Sequence, residues 1–506
     1  MPVSDSQSPA KEPLTNRQLQ AAAALFPARL PGAAPVLAEL GTRFAAAGRE
    51  LALVGGPVRD VLLDRRSRDL DLTTDATPEE ILGFVDGWAD QTWKIGIDFG
   101  TIGARKGKWQ LEITTYRADS YDRTSRKPVV TYGTSLAEDL SRRDFTVNSM
   151  AARLPGYELV DPFGGVADLQ RKVLRTPGAA ETSFTDDPLR ILRAARFAAQ
   201  LGFTVDPQTR QAMSDLAGLL TPPKVSAERI EAELTKLLLS TLPGGPAAGI
   251  ALLTDTGVAD QILPEIPRLR LEADEHFRHK DVYQHSLIVL SQAIELESRY
   301  ELEPDIVLRL AALLHDIGKP RTRSLLPDGR VAFHHHEVVG AKMARKRLAQ
   351  LRYRRDIVDD VSRLIELHLR FHGYGEGGWT DSAVRRYVTD AGPLLTRLHA
   401  LTRADCTTRN RAKAQRLAQA YDSLEQQIEE LKAQEELDAI RPDLDGHEIM
   451  QILGVPPGPL VGGALRHLLE LRIEEGPLGH DAAVQELLRW AAGAGVELPP
   501  TPGPAE

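Results

Sequence analysis

Leu53 to Asp71 reads LVGGPVRDVLLDRRSRDLD, and the order of residue types in it decides the fold around it. An apolar run suited to a strand meets Gly55-Gly56, a short helix opens at Pro57, and a second strand carries Asp69 and Asp71. Side chains two apart on a strand face the same way, so the two carboxylates converge. Converging carboxylates suit Mg²⁺, a hard cation that takes oxygen ligands and keeps phosphate oxygens in its remaining positions. A Gly-Gly turn at a helix N-terminus brings bare N–H groups to a triphosphate, and Arg59 lies one turn in as a bidentate phosphate donor. Alone, a D-x-D is more often a solvated strand end and a Gly-Gly a tight turn. Together, at this spacing, they are equipment for phosphoryl transfer. Glu112, in QLEITTYR on a later strand, is a candidate third carboxylate for a two-metal arrangement that activates a 3′-hydroxyl and stabilises a leaving pyrophosphate. An exposed strand charge explains Glu112 nearly as well.

Working outward, β-type runs at Leu51 to Val54, Leu70 to Thr73, Thr101 to Arg105 and Leu111 to Tyr116 alternate with helical stretches between Pro35 and about Leu159. That segment reads as a small α/β domain. After Pro162 nearly everything carries helical periodicity, broken at Thr221-Pro222-Pro223, at Leu242 to Pro246 and at Pro456 to Pro459. The fold class is therefore α+β, an N-terminal α/β head followed by a mostly α-helical remainder. Residues 1–33 and the C-terminal ELPPTPGPAE read as loose tails.

Composition narrows the setting. With 42% hydrophobic and 26% charged residues over 506 positions, the chain has the profile of a soluble protein of several domains. No apolar run approaches the roughly 20 residues of a membrane-spanning helix, and the first residues lack a signal peptide's apolar core, so a cytoplasmic location without membrane contact is expected. A single cysteine, Cys406, excludes an internal disulfide and a thiolate zinc cage. The net charge of −9 argues weakly against a nucleic-acid partner. Basic runs at Lys342 to Arg355 and Arg403 to Arg416 offset that argument, although each is more simply a solvated helix face.

On a helix beginning near Asp187, the residues Asp187, Arg190, Arg193 and Arg196 recur every three positions and share one face. One account is a helix start with Asp187 as N-cap, Pro188 at the first position and arginines in solvent. A sharper account comes from base chemistry. Cytosine and adenine both present an exocyclic amine beside an unprotonated ring nitrogen, which an Asp and an Arg match; uracil and guanine invert the pattern. Asp187 with Arg190 would then accept CTP and ATP and reject UTP and GTP, leaving a buried polar group unpaired as the penalty.

The ordered series LVGGPVRDVLLDRRSRDLDLTT, GIDFGTIGARKGKWQLEITTYR, SRRDFTVNSMA from Ser141, DPFGGVADL from Asp161, DDPLRILRAARFAAQLGF from Asp186 and KVSAERIEAELTKLL from Lys224 resembles the class II tRNA nucleotidyltransferases, with bacterial poly(A) polymerases as close relatives. The resemblance covers roughly the first half of the chain. It implies a nucleotidyltransferase head at 34–180, a nucleotide-recognising neck and tRNA-binding body at 181–268, and a helical tail at 421–506. It also implies that Arg143, Arg193 and Arg196 bind the nucleotide, and that tRNA is the partner. The family's usual Glu-Asp before this helix is Asp186-Asp187 here. Tyr116 to Leu136, with its Tyr-Asp…Arg-Lys-Pro pattern, is similar to the loop of complete CCA-adding and A-adding enzymes, and GIDFGTIGARK is the CCA-like form. Full CCA addition is the expectation, with A-adding alone or poly(A) synthesis behind it.

Ten of the thirteen histidines lie between His276 and His399. Within that stretch, His285 in DVYQHSLIVL, His315-Asp316 in LRLAALLHDIGKP, His336 in FHHHEVVGA, His368 in LIELHLR and Asp405 in TRADC resemble the HD phosphohydrolase superfamily and place an HD domain at 269–420. That resemblance implies His285, His315, Asp316 and Asp405 as ligands of a divalent metal, with His336 and His368 lining the site or holding a second ion. Such an ion would make bound water a nucleophile toward a phosphoester. The remaining histidines of the stretch, among them His334, His372 and His399, read as ordinary core or surface residues. A rival of another class is an HD-type phosphohydrolase whose head only recognises RNA.

Overall fold

The computed structural model describes residues 16–65, 69–94, 97, 100–120, 129–133, 135–221, 223–271, 281–327, 331–373, 379–408, 410–435 and 440–496. The chain forms two compact units, Met1–Ile262 and Leu263–Glu506. Among the described residues no helix is long and apolar enough to cross a membrane.

The first unit begins with two helices, α1 (Asn16–Arg29) and α2 (Ala34–Ala46). Part of the stretch read as a loose tail is therefore folded. Phe26 and Leu30 are buried, Phe26 stacks on Tyr157 with ring centroids 5.7 Å apart, and Arg29 donates to the Val61 carbonyl at 2.6 Å. The Ala-rich composition concealed this, because among the described side chains of the stretch Phe26 and Leu30 are the large apolar ones that are buried.

Four consecutive buried residues make β1 (Leu51–Val54) an interior strand. After it come α3 (Gly56–Leu62), β2 (Asp69–Thr74), α4 (Pro78–Val85), β3 (Gln91–Trp93), β4 (Thr101–Lys106) and β5 (Trp109–Thr115). The α4 start is fixed by a capping box, with Thr77 Oγ1 accepting from the Glu80 N–H and the Glu80 carboxylate accepting from the Thr77 N–H. A separate antiparallel pair, β6 (Arg117–Ser120) and β7 (Val129–Tyr132), precedes α5 (Leu136–Ser141), β8 (Ala151–Arg153) and β9 (Glu158–Val160). Seven of these strands form one mixed sheet in the order β3-β4-β5-β2-β1-β8-β9. Leu53 of β1 sits opposite Leu72 on one side and Ala152 on the other, both antiparallel. β2 and β5 run parallel, with Asp69 opposite Gln110 and Asp71 opposite Glu112.

The rest of the unit is helical apart from the short parallel pair β10 (Val173–Leu174) and β11 (Thr204–Val205). Its helices are α6 (Gly165–Arg171), α7 (Ala180–Asp186), α8 (Leu189–Leu201), α9 (Pro207–Asp215), α10 (Ala227–Leu238), α11 (Gly245–Asp255) and α12 (Ala259–Ile262). Pro188 ends α7: a proline disfavours helical geometry in the residue before it, so Asp187 is extended and α8 restarts the helix in a new direction. α8 packs against α10 and α11.

The second unit runs α13 (Glu265–Arg268), α14 (Val282–Leu296), α15 (Ile306–Leu314), α16 (Lys319–Thr322), the hairpin β12 (Arg323–Leu325) with β13 (Val331–Phe333), then α17 (His336–Gln350), α18 (Arg355–Leu367), α19 (Asp381–Ala391) and α20 (Leu395–Asp405). Residues 307–314 of α15 are all buried, which makes it the central helix. The one cation among them, Arg309, is paired with the equally buried Glu297, its Nε 2.6 Å from Oε1. α21 (Arg411–Glu435), α22 (Gly446–Leu453), α23 (Pro459–Glu475) and α24 (His480–Gly493) complete the chain. The last three share a core of Leu444, Ile449, Leu453, Leu468 and Leu487. The two basic runs supply ordinary helix-face pairs: Arg347 with Glu265 at 2.9 Å and Arg403 with Asp422 at 2.7 Å.

Candidate active sites

A cleft of about 600 Å³ opens in the first unit where the β1–α3 turn faces α8 and α10. Gly55 and Gly56 form one lip. Gly55 has φ of +76°, a left-handed conformation, and an added Cβ would stand 3.0 Å from Arg143 Nη1. Glycine is therefore favoured by the turn, and any added side chain would push the Arg143 guanidinium aside. Asp71 lines the cleft from β2. Asp69 is two residues earlier on the same strand; its side chain lies outside the described residues. Glu112 is level with Asp71 on β5 but is exposed and is not among the residues that line the cleft.

The arginines are held in place rather than loose in solvent. Arg193 donates to Asp144 from Nε at 2.8 Å, Arg196 donates to Glu233 from Nε at 2.6 Å and to Gln200 at 3.0 Å, and Arg143 donates to Asp139 at 3.2 Å. The Phe197 ring lies under three guanidinium groups, 4.0 Å from Arg196, 5.2 Å from Arg59 and 5.4 Å from Arg193. Burial works to raise the Asp144 carboxyl, but the Arg193 guanidinium outweighs it, aided by hydrogen bonds from Asn148 and the Phe145 N–H, and holds Asp144 below the usual range. Arg59 lines the cleft, yet its Nε and Nη2 already donate to Asp60 and its Nη1 to Asn148 at 2.7 Å. Seven cations and four carboxylates line this space. The excess is positive within a chain whose formal net charge is −9.

Asp187 and Arg190 share the cleft, joined by the Arg190 N–H donating to the Asp187 carbonyl at 3.0 Å while their side chains bond other groups. Asp187 accepts from Arg229 Nη2 at 3.2 and 3.3 Å and from the Leu189 N–H at 3.3 Å; Arg190 donates to Ser183 Oγ at 2.7 Å and to the Arg142 carbonyl. Pro188, not Asp187, occupies the N-cap position of α8. The cleft thus gathers Gly55, Gly56, Arg59, Asp71, Arg143, Asp187, Arg190, Arg193 and Arg196. Sequence reasoning missed Asp144, Asn148, Phe197, Arg229 and Lys236, which also line it. Asp144 and Asn148 sit inside SRRDFTVNSMA, and Arg229 inside KVSAERIEAELTKLL. Their partners are far away in sequence, so only the fold exposes the pairing.

The loop at Tyr116 to Leu136 lies partly outside the described residues. Its arms are β6 and β7, and Tyr116 is buried with its hydroxyl donating to Glu50 at 3.0 Å.

The second unit holds a cluster of imidazoles and carboxylates at helix ends. His285 comes from α14, His315 and Asp316 follow α15, His336 opens α17, His368 follows α18, and Asp405 ends α20. His285 Nε2 is 2.9 Å from Asp405 and 3.2 Å from His315 Nε2; His315 Nε2 is 3.2 Å from Asp316, and His336 Nε2 is 3.4 Å from the other Asp316 oxygen. Nδ1 of each buried ring bonds a carbonyl three residues earlier: His315 to Ala312 at 2.9 Å, His336 to Phe333 at 2.8 Å and His368 to Ile365 at 2.6 Å. Every Nε2 is thereby turned inward. His336 Nε2 is buried without a hydrogen-bond partner. Lys319 Nζ lies 3.0 Å from Asp316.

Burial disfavours charge on His315, but Asp316 and Asp405 outweigh it and push that imidazole up to about 10. Burial, with the adjacent positive His315, pushes His368 down to about 3. Burial raises both carboxyls, yet His315 and Lys319 around Asp316, and His285 and His315 around Asp405, hold them well below the usual range. This donor set fits a divalent cation: inward-facing nitrogens, ionised oxygens and one orphaned nitrogen, with His285-His315-Asp316 and Asp316-His336-His368 as two overlapping triads. His276 and His279 lie outside the described residues, and His399 is a buried histidine away from this cluster that burial pushes down to about 4.

Comparison with known proteins finds matches in both units. Residues 51–175 match the poly A polymerase head domain, 202–269 the probable RNA and SrmB-binding site of polymerase A, and 282–410 the HD domain. The A-adding tRNA nucleotidyltransferase of Deinococcus radiodurans is 36% identical over 450 residues, spanning 87% of this chain and 95% of that protein. The CCA-adding enzyme of Lactobacillus johnsonii is 40% identical over 238 residues, 47% of this chain and 56% of that enzyme. The crystal structure of the Bacillus stearothermophilus CCA-adding enzyme in complex with CTP shares the fold, with a TM-score of 0.63 at 24% identity over 92% of this chain and 98% of that one. A relationship carried over nearly the whole length of both proteins shows that the chain belongs to the tRNA nucleotidyltransferase family.

Proposed function

We propose that this protein completes the 3′ end of tRNA in the cytoplasm, adding CCA from CTP and ATP without a nucleic-acid template. The observation that carries the reading is the single cleft in which the Gly55-Gly56 turn, Asp71 and the arginines of α8 meet. The Gly55-Gly56 backbone and Arg143 hold the triphosphate, while Asp187 accepts from the base amine and Arg190 donates to the ring nitrogen. The tRNA 3′-hydroxyl attacks the α-phosphate, a phosphodiester forms, and pyrophosphate leaves with the electrons of the broken bond. Asp69 and Asp71 suit Mg²⁺, which when bound supplies charge stabilisation at the triphosphate; Glu112, exposed one strand away, is a weaker member of that set. Anchored by Asp144 and Glu233, Arg193 and Arg196 set the shape of the base-reading wall. We divide the chain into head 34–180, neck and body 181–268, HD domain 269–420 and tail 421–506. The HD centre is proposed to be a phosphohydrolase site, in which His285, His315, Asp316 and Asp405 hold a divalent metal that supplies an activated water, and His336 and His368 line the pocket.

One observation favours a second reading. Two relatives match along nearly their full length, the A-adding enzyme and the CC-adding tRNA nucleotidyltransferase of Thermus thermophilus, 33% identical over 456 residues. The Lactobacillus enzyme matches a little over half of its own length, so addition of only A or only CC is the alternative. The test uses three tRNAs, ending at the discriminator base, at C and at CC, with CTP and ATP, followed by sequencing of the product ends. Extension of all three to CCA is the expected result. Extension of the CC-ending substrate alone, by one A, establishes the A-adding activity instead, and long A tracts establish poly(A) synthesis.

A further inference from the structure

We propose that Arg229 is a positioning residue for nucleotide choice, holding the Asp187 carboxylate in place against the base; the proposal rests on the reading of Asp187 given above. Asp187 is the extended residue between two helices, with φ of −137° and ψ of 95°, so no helical backbone restrains its side chain. One oxygen accepts from the Leu189 N–H at 3.3 Å. Arg229 is the side chain that reaches both oxygens, its Nη2 standing 3.2 Å from one and 3.3 Å from the other. A carboxylate gripped end-on by one nitrogen keeps acceptor capacity on both oxygens for an exocyclic amine.

The grip is built on a rigid base. Arg229 is in the first turn of α10, where Ser226 Oγ accepts from the Arg229 N–H at 3.4 Å. One turn further along the same face, Glu233 is buried and bonded to Arg196 of α8 at 2.6 Å. Two ion pairs therefore fix α10 to the start and to the middle of the helix that reads the base. They differ in kind. The Glu233–Arg196 pair is buried, whereas Arg229 is 51% exposed and Asp187 31% exposed. An ion pair so exposed contributes little to folding. Removing Arg229 should consequently spare the fold and release Asp187.

Base choice depends on that restraint. A carboxylate free to rotate can turn away from a wrong base, so a carbonyl of uracil or guanine no longer leaves it unpaired, and the penalty on the wrong nucleotide is lost. The experiment measures kcat and KM for CTP, ATP, UTP and GTP on tRNA acceptors with wild-type protein, Arg229→Ala, Arg229→Lys, Asp187→Ala and the Arg229→Ala/Asp187→Ala pair, alongside melting temperatures. Arg229→Ala should raise KM for CTP and ATP and cut their preference over UTP and GTP by about ten-fold, with kcat for the correct nucleotides nearly unchanged. Arg229→Lys should recover part of the preference, and Arg229→Ala should add nothing in the Asp187→Ala background. Equal weakening of all four nucleotides overturns the proposal, because it makes Arg229 a phosphate ligand. Additive losses in the double variant also overturn it. A wild-type protein that incorporates none of the nucleotides overturns the reading of the cleft itself, whereas intact discrimination in Arg229→Ala with lost discrimination in Asp187→Ala overturns this inference alone.

Discussion

Asp71 and Asp144 are both acidic residues of one cleft, and they act in opposite ways. Asp71 faces the cleft proposed to take the triphosphate, so Asp71→Ala should abolish addition of both C and A while the melting temperature holds; a radiolabelled extension assay together with a thermal melt checks both halves. Asp144 is 6% exposed and committed to Arg193. Truncating it to Ala leaves Arg193 with the more distant Glu233, 3.9 Å away, removes the acceptor of the Asn148 amide and the Phe145 N–H, and should cost about 2 kcal/mol, read from a denaturant curve. Its pH signature follows from the same pairing. Because Arg193 holds the folded-state carboxyl below the ordinary value of 3.8, Asp144's contribution is complete above that value and is lost as the pH falls beneath it. Acid titration of stability should therefore be shallower in Asp144→Ala than in the unaltered protein. Asp71 and Asp187 were legible as cleft residues because local spacing alone singles them out. Asp144 and Arg229 were not, because each acts through a partner about forty to fifty positions away.

Elements were easier to read than their partners. The runs expected as strands correspond to β1, β2, β4 and β5, and a helix was expected near where α8 begins. Alternation and caps are local, so they survive without knowledge of the fold. The helix α1 was missed because, among its described side chains, Phe26 is the one large apolar residue that is buried. The tie between α8 and α10 was equally invisible. Glu233→Ala should test it: loss of the buried partner of Arg196 should lower stability by about 3 kcal/mol and, if α8 reads the base as proposed, raise KM for CTP and ATP because that helix loses its brace. Steady-state kinetics beside a denaturant curve separates the two effects. Unchanged KM at reduced stability would confine Glu233 to holding the helices together.

At the scale of the molecule, the two centres belong to different compact units and use different ligand chemistry. They should fail independently. The His315→Ala/Asp316→Ala variant should lose hydrolysis of phosphate esters and 2′,3′-cyclic nucleotides while extending tRNA normally; loss of extension at an unchanged melting temperature would reveal coupling between them. Net charge pointed away from a polyanionic partner, and the cleft explains why that signal misled: its cations are concentrated in one place, and the acidic surplus lies elsewhere. A further consequence concerns protons. His315 is pushed up to about 10, so near neutral pH it carries a proton that a metal must displace. Loading with Mn²⁺ at pH 7.5 should release roughly one proton, seen as a binding heat that varies with the ionisation enthalpy of the buffer.

Three imidazoles of that cluster are fastened to carbonyls three positions behind them. A ring tethered by its own chain gives up its rotation during folding, before any ion arrives. Donors that cannot follow an ion inward or retreat from it reward the radius that suits their spacing and penalise every other. A divalent metal held there as proposed would be gauged, selected by ionic size as much as by affinity for nitrogen.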